Sequence, residues 1–380
     1  MSVTKIKRLA LTVLAGGCAV GSGMAQADYK LNLTDGVTSI SKEVYDLHML
    51  ALWMVTGIGM LVFGLMIWSM LRHRKTGGGR PAQFHHNSRW EAVWTIIPIL
   101  ILLAFAAPST RTLIMMEDTG DPEMTIKVTG YQWRWHYDYL DEGFGFFSAL
   151  APEHNEARQK NSGVDVSQIE NYLLEVDNPV VVPINKKIRV LITANDVLHA
   201  WWVPALGWKR DAIPGFVNVN WTMLTEPGTY RGQCAELCGK DHGYMPIVLK
   251  AVTEPEYRQW VAETKRVQAE AAAGANRVWT MVELLERGET VYRSTCAGCH
   301  QANGQGLPPT FPALTGSPIT TGPVTDHIHI VLNGSPGTTM QAFGQQLNTV
   351  DIAAVITYER NALGNNVGDM VQPADIQAAR

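Results

Sequence analysis

Cys234-Ala-Glu-Leu-Cys238-Gly-Lys-Asp-His242-Gly-Tyr-Met245 brings two thiols, an imidazole and a thioether into twelve residues. Soft and borderline donors of this kind favour copper over magnesium or calcium. A mononuclear blue-copper loop needs one cysteine, so the second points to two thiolates bridging a pair of coppers. A distant second imidazole is then required. His199, in Asn195-Asp-Val-Leu-His199-Ala-Trp-Trp-Val-Pro204, follows a strand-like run. A Cys234–Cys238 disulfide would leave His242 and Met245 unexplained. A zinc site would use the cysteines and histidines but not the methionine.

Outward from this loop the pattern is that of strands. Met124 to Thr129 alternates apolar and polar residues. Leu173–Val176, Lys187–Thr193 and Pro246–Val252 alternate likewise or are fully apolar, with Gly and Pro between them. This predicts an antiparallel all-β sandwich or barrel. Asp141 to Asn171 is long, polar and acidic and reads as a surface loop.

Two apolar runs precede the strands. Leu47 to Leu71 has His48 as its only ionisable residue, and twenty-five helical residues at about 1.5 Å each exceed a hydrocarbon core of about 30 Å. Ala92 to Pro108 continues with weaker polarity to Met116; its prolines, Pro98 and Pro108, are tolerated in membrane helices. The loop between the runs carries Arg72, Arg74, Lys75, Arg80 and Arg89 and no acid before Glu91. Positive loops stay in the cytoplasm, which puts everything after about residue 117 outside. Lys5, Lys7 and Arg8, an apolar stretch from Leu9 to Val20, and Ala25-Gln26-Ala27 read as an export signal cleaved before Asp28. A short anchor or lipidation at Cys18 are the competing readings of that segment. A chain of 380 residues with formal charge −4 accommodates two or three domains, and without a basic stripe it carries no case for nucleic acid.

Downstream, Glu263 to Asn276 is polar and alanine-rich, a helical extension or linker. A helical pattern from Val282 to Tyr292 leads into Cys296-Ala-Gly-Cys299-His300. C-x-x-C-H is the attachment signature of a c-type haem: the thiols add to the two vinyl groups and the histidine supplies one axial ligand. Met340, in Thr338-Thr-Met340-Gln-Ala-Phe343, precedes a closing helix from Val350 to Asn361 and is the candidate second ligand. His327 and His329 are the fallback ligands.

Residues 40 to 262 resemble cytochrome c oxidase subunit II, through the copper loop, Leu198–Gly207 and Lys209–Gly215. The resemblance implies a cupredoxin-like Greek-key sandwich. It implies a dinuclear copper A centre with side-chain ligands His199, Cys234, Cys238, His242 and Met245 and the Glu236 carbonyl, and a magnesium ion shared with subunit I through the Glu236 carboxylate. Gly130-Tyr-Gln-Trp-Arg-Trp-His-Tyr137 is similar to the family's aromatic segment, which assigns Trp133 to electron acceptance from a donor. Such aromatics also serve interfacial or core packing. Trp90-Glu-Ala-Val-Trp-Thr-Ile-Ile-Pro98 is similar to the segment whose glutamate opens a proton pathway, a role that falls on Glu91, although a boundary carboxylate is also a common interfacial anchor. Residues 278 to 363 resemble class I cytochromes c, with Gly288, Tyr292 and Tyr358 at that fold's helix crossing.

The expected organisation is a signal peptide over 1–27 and an N-terminal segment with a transmembrane hairpin over 28–117. The copper domain follows over 118–262, then a linker over 263–277, an all-α cytochrome domain over 278–363, and a tail over 364–380. The resemblance implies subunit II of a caa-type terminal oxidase in the bacterial inner membrane, with the copper and haem domains periplasmic. Its implied partners are subunits I and III, membrane lipid and a soluble or membrane-bound cytochrome c donor, and its implied activity is oxygen reduction with proton pumping. A nitrous oxide reductase would need a further catalytic copper cluster and no paired spans. A membrane-tethered electron carrier serving another reductase would have no use for Glu91 or the Glu236 magnesium position, and a quinol oxidase subunit would lack the copper ligands.

Overall fold

The computed structural model describes residues 32–34, 36–74, 83, 85–159 and 162–380. The export signal, Cys18, Lys75 and Arg80 lie outside the described residues.

Two long helices come first. Helix α1 (Ser39–Arg72) starts at Thr38, whose hydroxyl accepts from the Ser41 amide while Ser41 reaches back to the Thr38 amide. Helix α2 (Ser88–Glu117) starts at Asn87, whose side chain accepts from the amides of Arg89 and Trp90. Both are long and apolar enough to cross a membrane, and their apolar windows are wholly unburied by protein, as lipid-facing helices require. Their outer ends are tied to the following domain. Thr38 donates to the Leu206 carbonyl at 3.0 Å, Trp221 Nε1 donates to the Met115 carbonyl at 3.1 Å, and Arg210 pairs with Glu117 at 2.8 Å.

The strands are β1 (Met124–Tyr131), β2 (Arg134–Tyr139), β3 (Phe144–Ser148), β4 (Val180–Pro183), β5 (Ile188–Ala194), β6 (His199–Val203), β7 (Trp208–Ala212), β8 (Asn218–Thr222), β9 (Gly228–Cys234) and β10 (Pro246–Val252). They form two five-stranded sheets, ordered β3-β2-β1-β5-β8 and β4-β10-β9-β6-β7. Alternation along β5 buries Ile188, Val190 and Ile192 against Trp135, Tyr139 and Ile247 in a common core. The sandwich is not wholly antiparallel, because β1 pairs with β5, and β4 with β10, in parallel. Leu173–Val176 contributes only an isolated bridge, Leu150 to Val176. The segment read as a surface loop instead holds β3 and helix α3 (Pro152–Ala157), whose His154 and Asn155 are buried.

Helix α4 (Glu254–Gly274) runs from the sandwich towards the C-terminal domain, so the alanine-rich linker is helical. That domain contains α5 (Met281–Val291), the short α6 (Ala297–His300) and α7 (Pro318–Thr321), then α8 (Val324–Asn333), α9 (Thr349–Asn361) and α10 (Pro373–Ala379). Helices α5 and α9 cross where Gly288 meets the Ala354 backbone; a Cβ there would lie 2.2 Å from the Ala354 carbonyl oxygen. The rings of Tyr292 and Tyr358 flank the crossing at 5.5 Å. The last seventeen residues are more than a tail. Val371 and Ile376 are buried in the same core, and Asp369 pairs with the buried Arg360 at 2.7 Å.

Candidate functional site

Strand pairing assembles the first cluster. Trp201 on β6 faces Cys234 at the end of β9, which brings His199 beside Cys234. The loop after Cys234 must return at once into β10, whose Pro246 faces Gln233, so Cys238, His242 and Met245 fold back over Cys234. The sulfurs of Cys234 and Cys238 lie 3.8 Å apart, and neither is in a disulfide. His199 Nδ1 is 3.9 Å from Cys234 Sγ, His242 Nδ1 is 3.5 Å from Cys238 Sγ, and Met245 Sδ is 3.5 Å from Cys238 Sγ. The Glu236 carbonyl oxygen is 3.3 Å from Cys234 Sγ. His199, Cys234, Cys238 and Met245 are all buried.

The surroundings orient these donors. His199 Nε2 is hydrogen-bonded to Asp196 Oδ1 at 2.9 Å, which turns Nδ1 towards the thiols. Burial pulls the His199 imidazole down, but the Asp196 hydrogen bond and the nearby Cys234 prevail and its pKa is raised. The two thiols share one hydrogen bond and one negative charge between them, so Cys234 ionises far more readily than an ordinary thiol and Cys238 far less. Gly130 on β1 leaves space for His199, since a Cβ there would lie 2.8 Å from the ring. Two thiols, two imidazoles, a thioether and a carbonyl fit a copper pair: soft sulfur donors select it, and the second sulfur is what a single ion does not need.

The second site is a cavity of about 420 Å³ lined by Cys296, Cys299, His300 and Met340. His300 Nδ1 donates to the Pro312 carbonyl at 2.9 Å, leaving Nε2 free as a ligand, the tautomer an axial histidine needs. His327 Nε2 is engaged by Glu359 at 2.9 Å, and His329 is exposed and bonded to Asn333, so Met340 remains the partner that faces the cavity without a competing bond of its side chain. Two thiols and an imidazole on the wall of one cavity with a thioether fit a covalent haem.

The copper domain closes this cavity. Gln132, Trp133, Arg134, Asn155 and Arg158 line it too. Across the boundary Asn155 donates to the Arg293 carbonyl at 2.8 Å, Lys240 to the Gly298 carbonyl at 3.1 Å, and Arg293 pairs with Glu156 at 3.2 Å. Gln341, next to Met340, donates to the Gln132 carbonyl at 2.6 Å and to Asp196 Oδ2 at 3.2 Å. Gln132 Nε2 and Trp133 Nε1 both donate to the Cys238 carbonyl, at 2.8 and 3.2 Å. A hydrogen-bonded route therefore runs from Gln341 through Asp196 to His199, and a second through Gln132 to Cys238. Gln341, Arg134, Asn155 and Arg158 were not legible in the sequence, because their role depends on docking between domains. Glu91 lies apart at the start of α2, where its carboxylate accepts from the Asn87 amide at 2.9 Å.

Comparison with known proteins agrees in each region. Residues 124–252 match the family described as cytochrome c oxidase subunit II, periplasmic domain, and residues 26–112 that of its transmembrane domain. Residues 283–358 match cytochrome c oxidase, cbb3-type, subunit III. The chain is similar to a probable cytochrome c oxidase subunit 2 of Rickettsia bellii, 38% identical over 244 residues, spanning 63% of this chain and 86% of that protein. It is also similar to that of Rickettsia prowazekii, 40% identical over 236 residues, spanning 62% and 72%. The crystal structure of the periplasmic domain of subunit II of cytochrome oxidase (CoxB) of Bradyrhizobium japonicum is 42% identical, covers 39% of this chain and 97% of that chain, and has a TM-score of 0.34.

Proposed function

Because this chain belongs to the cytochrome c oxidase subunit II family, we propose that its copper and haem domains form one docked unit that delivers electrons to the oxygen-reducing centre of subunit I. The chain is a membrane protein with two spans and a periplasmic copper A-type domain, fused to a cytochrome c domain. The observation that carries the proposal is the convergence of six donor groups, Cys234 and Cys238 with four others around them. His199, Cys234, Cys238, His242, Met245 and the Glu236 carbonyl would hold the copper pair. Cys296, Cys299, His300 and Met340 would hold the haem. When bound, these groups supply one-electron exchange with little rearrangement. The protein fixes the donors, excludes water from the sulfurs and aligns the two sites through Gln341, Gln132 and Asp196.

Trp133, the residue the family resemblance assigns to electron acceptance, lines the haem cavity and donates to the Cys238 carbonyl. That placement supports the attached cytochrome as the immediate donor, with a separate cytochrome c reducing it in turn. Leu198 and Leu237 each precede a proposed copper ligand and are 48% and 78% exposed, which suits an apolar partner such as subunit I, with subunit III completing the complex. The Glu236 carboxylate is assigned to a magnesium ion at that contact, and Glu91 to proton uptake on the cytoplasmic side, serving oxygen reduction to water with proton pumping.

Purification of the intact membrane complex tests this reading. Two coppers sharing one unpaired electron should show hyperfine splitting from two equivalent nuclei, and haem should stay on the chain through acid–acetone extraction. A single bound copper, or preference for zinc, would remove the copper-pair assignment. Glu91→Ala should slow steady-state oxygen reduction while reduction of the copper pair stays normal; unchanged turnover would reduce Glu91 to the helix cap it forms with Asn87.

A further inference from the structure

The haem cavity contains a charge that its own domain does not supply. Arg134 opens β2 of the copper domain and is 7% exposed. Its guanidinium carbon lies 5.2 Å from the ring centre of Phe147 on β3 and 5.2 Å from that of Phe343, three residues beyond Met340 in the cytochrome domain. It lines the cavity with Cys296, Cys299, His300 and Met340. Among the described residues no hydrogen bond or ion pair reaches this guanidinium.

The other charged groups of the wall are compensated. Arg158 pairs with Asp241 at 3.0 Å, and His327 with Glu359 at 2.9 Å. Asp177 lies within electrostatic range of Arg134 but makes no ion pair with it; its carboxylate accepts instead from the amides of Ala149 and Asn178. An arginine stays protonated even when buried, and an uncompensated buried cation is costly, so one facing a cavity marks a place for negative charge. The aromatic faces of Phe147 and Phe343 offset part of that cost. Because Phe343 belongs to the cytochrome domain, the position of the cation relative to the cavity depends on domain docking.

We propose that Arg134 is a cofactor-facing cation, supplied by the copper domain, that sets the reduction potential of the haem from outside the cytochrome fold. The proposal rests on the reading of this cavity as a covalent haem site. Reduction adds one electron to the cofactor, taken from the cytochrome c donor, with no bond made or broken in the protein. A fixed positive charge in a poorly solvated wall stabilises the reduced form relative to the oxidised one and raises the potential.

The test uses the full chain matured with haem and copper. Arg134→Gln and Arg134→Met remove the charge; the second fills the same slot with an unbranched apolar chain should the first fail to fold. Arg134→Lys keeps a cation. Spectroelectrochemical titration of the haem α-band should show a shift to lower potential in both neutral variants and a potential closer to that of the unmutated chain in the lysine variant. The copper spectrum should be unchanged in all three. An unshifted potential in a neutral variant that carries covalent haem would overturn the proposal. So would an equal shift in all three variants, which would trace the effect to side-chain shape. Failure of the unmutated chain to retain haem under acid–acetone extraction is a separate result, and it would remove the haem reading itself.

Discussion

At Cys234 and Met245 the same loop places two donors of unequal consequence. The two thiols lie 3.8 Å apart with imidazoles on either side, whereas Met245 Sδ approaches from beyond Cys238 at 3.5 Å. A bridging thiolate holds both metals, while a thioether is a weak ligand that tunes potential more than it retains metal. Cys234→Ser is therefore expected to leave a one-copper electron paramagnetic resonance spectrum or no copper. Met245→Leu should keep the two-copper spectrum with a shifted potential. A second residue-scale expectation concerns Asp177. Burial raises its carboxyl to about 6, although its backbone hydrogen bonds and Arg134 pull the other way. A carboxyl whose folded pKa exceeds its unfolded value favours folding when protonated. Its contribution is complete below the unfolded pKa and is lost as pH rises through about 6. Asp177 is exposed by area, so solvent screens much of this effect, and Asp177→Asn should stabilise the protein only slightly at pH 7.5 and not near pH 4. Thermal unfolding at the two pH values measures the difference.

Among the elements, the crossing of α5 and α9 has the least tolerance. Gly288 lets the helices approach until a Cβ would lie 2.2 Å from the Ala354 carbonyl oxygen and 2.6 Å from Tyr358 Cβ. Since backbone is what it would meet, side-chain rotation gives no relief. Gly288→Ala should cost about 1–3 kcal/mol or more, read as an earlier thermal loss of the haem Soret dichroism. The copper loop is constrained differently, by the strands at its two ends. The Cys234 amide donates to the Met245 carbonyl at 3.3 Å, closing the loop into a ring of donors. Helix α3 was hidden in a polar stretch because its six residues are one alanine, one proline and four polar groups, with no apolar stripe. Asn155 is buried against the cytochrome domain, not against a core of its own, so neither hydropathy nor periodicity marks it.

For the whole molecule the decisive feature is the docking of the cytochrome onto the face that carries Gln132, Trp133 and Asp196. Gln341 bridges that boundary, with its nitrogen 2.6 Å from the Gln132 carbonyl and 3.2 Å from Asp196, which in turn orients His199. Gln341→Ala should slow electron transfer from the haem to the copper pair several-fold, as measured by flash photolysis of the loaded chain. Reduction of the haem by its external donor should be unaffected. If internal transfer is unchanged, the Gln132, Trp133 and Cys238 contacts carry the coupling without it.

The sequence by itself determined the two apolar spans, the strand-rich copper domain, the C-x-x-C-H motif and the local donor set, because each is written in consecutive residues or in a short-period hydrophobic pattern. It marked Gly288 and Met340 through resemblance to a known helix crossing and ligand position. Only the tertiary structure decided that β1 and β5, and β4 and β10, pair in parallel, and that residues 364–380 complete the cytochrome core. Only it placed Trp133 inside the haem cavity, and only it aimed Arg134 there without a counter-ion. The physical reason is common to all of these: they arise from contacts between segments far apart in the chain, where burial is shared across a domain boundary and no single segment carries its signal.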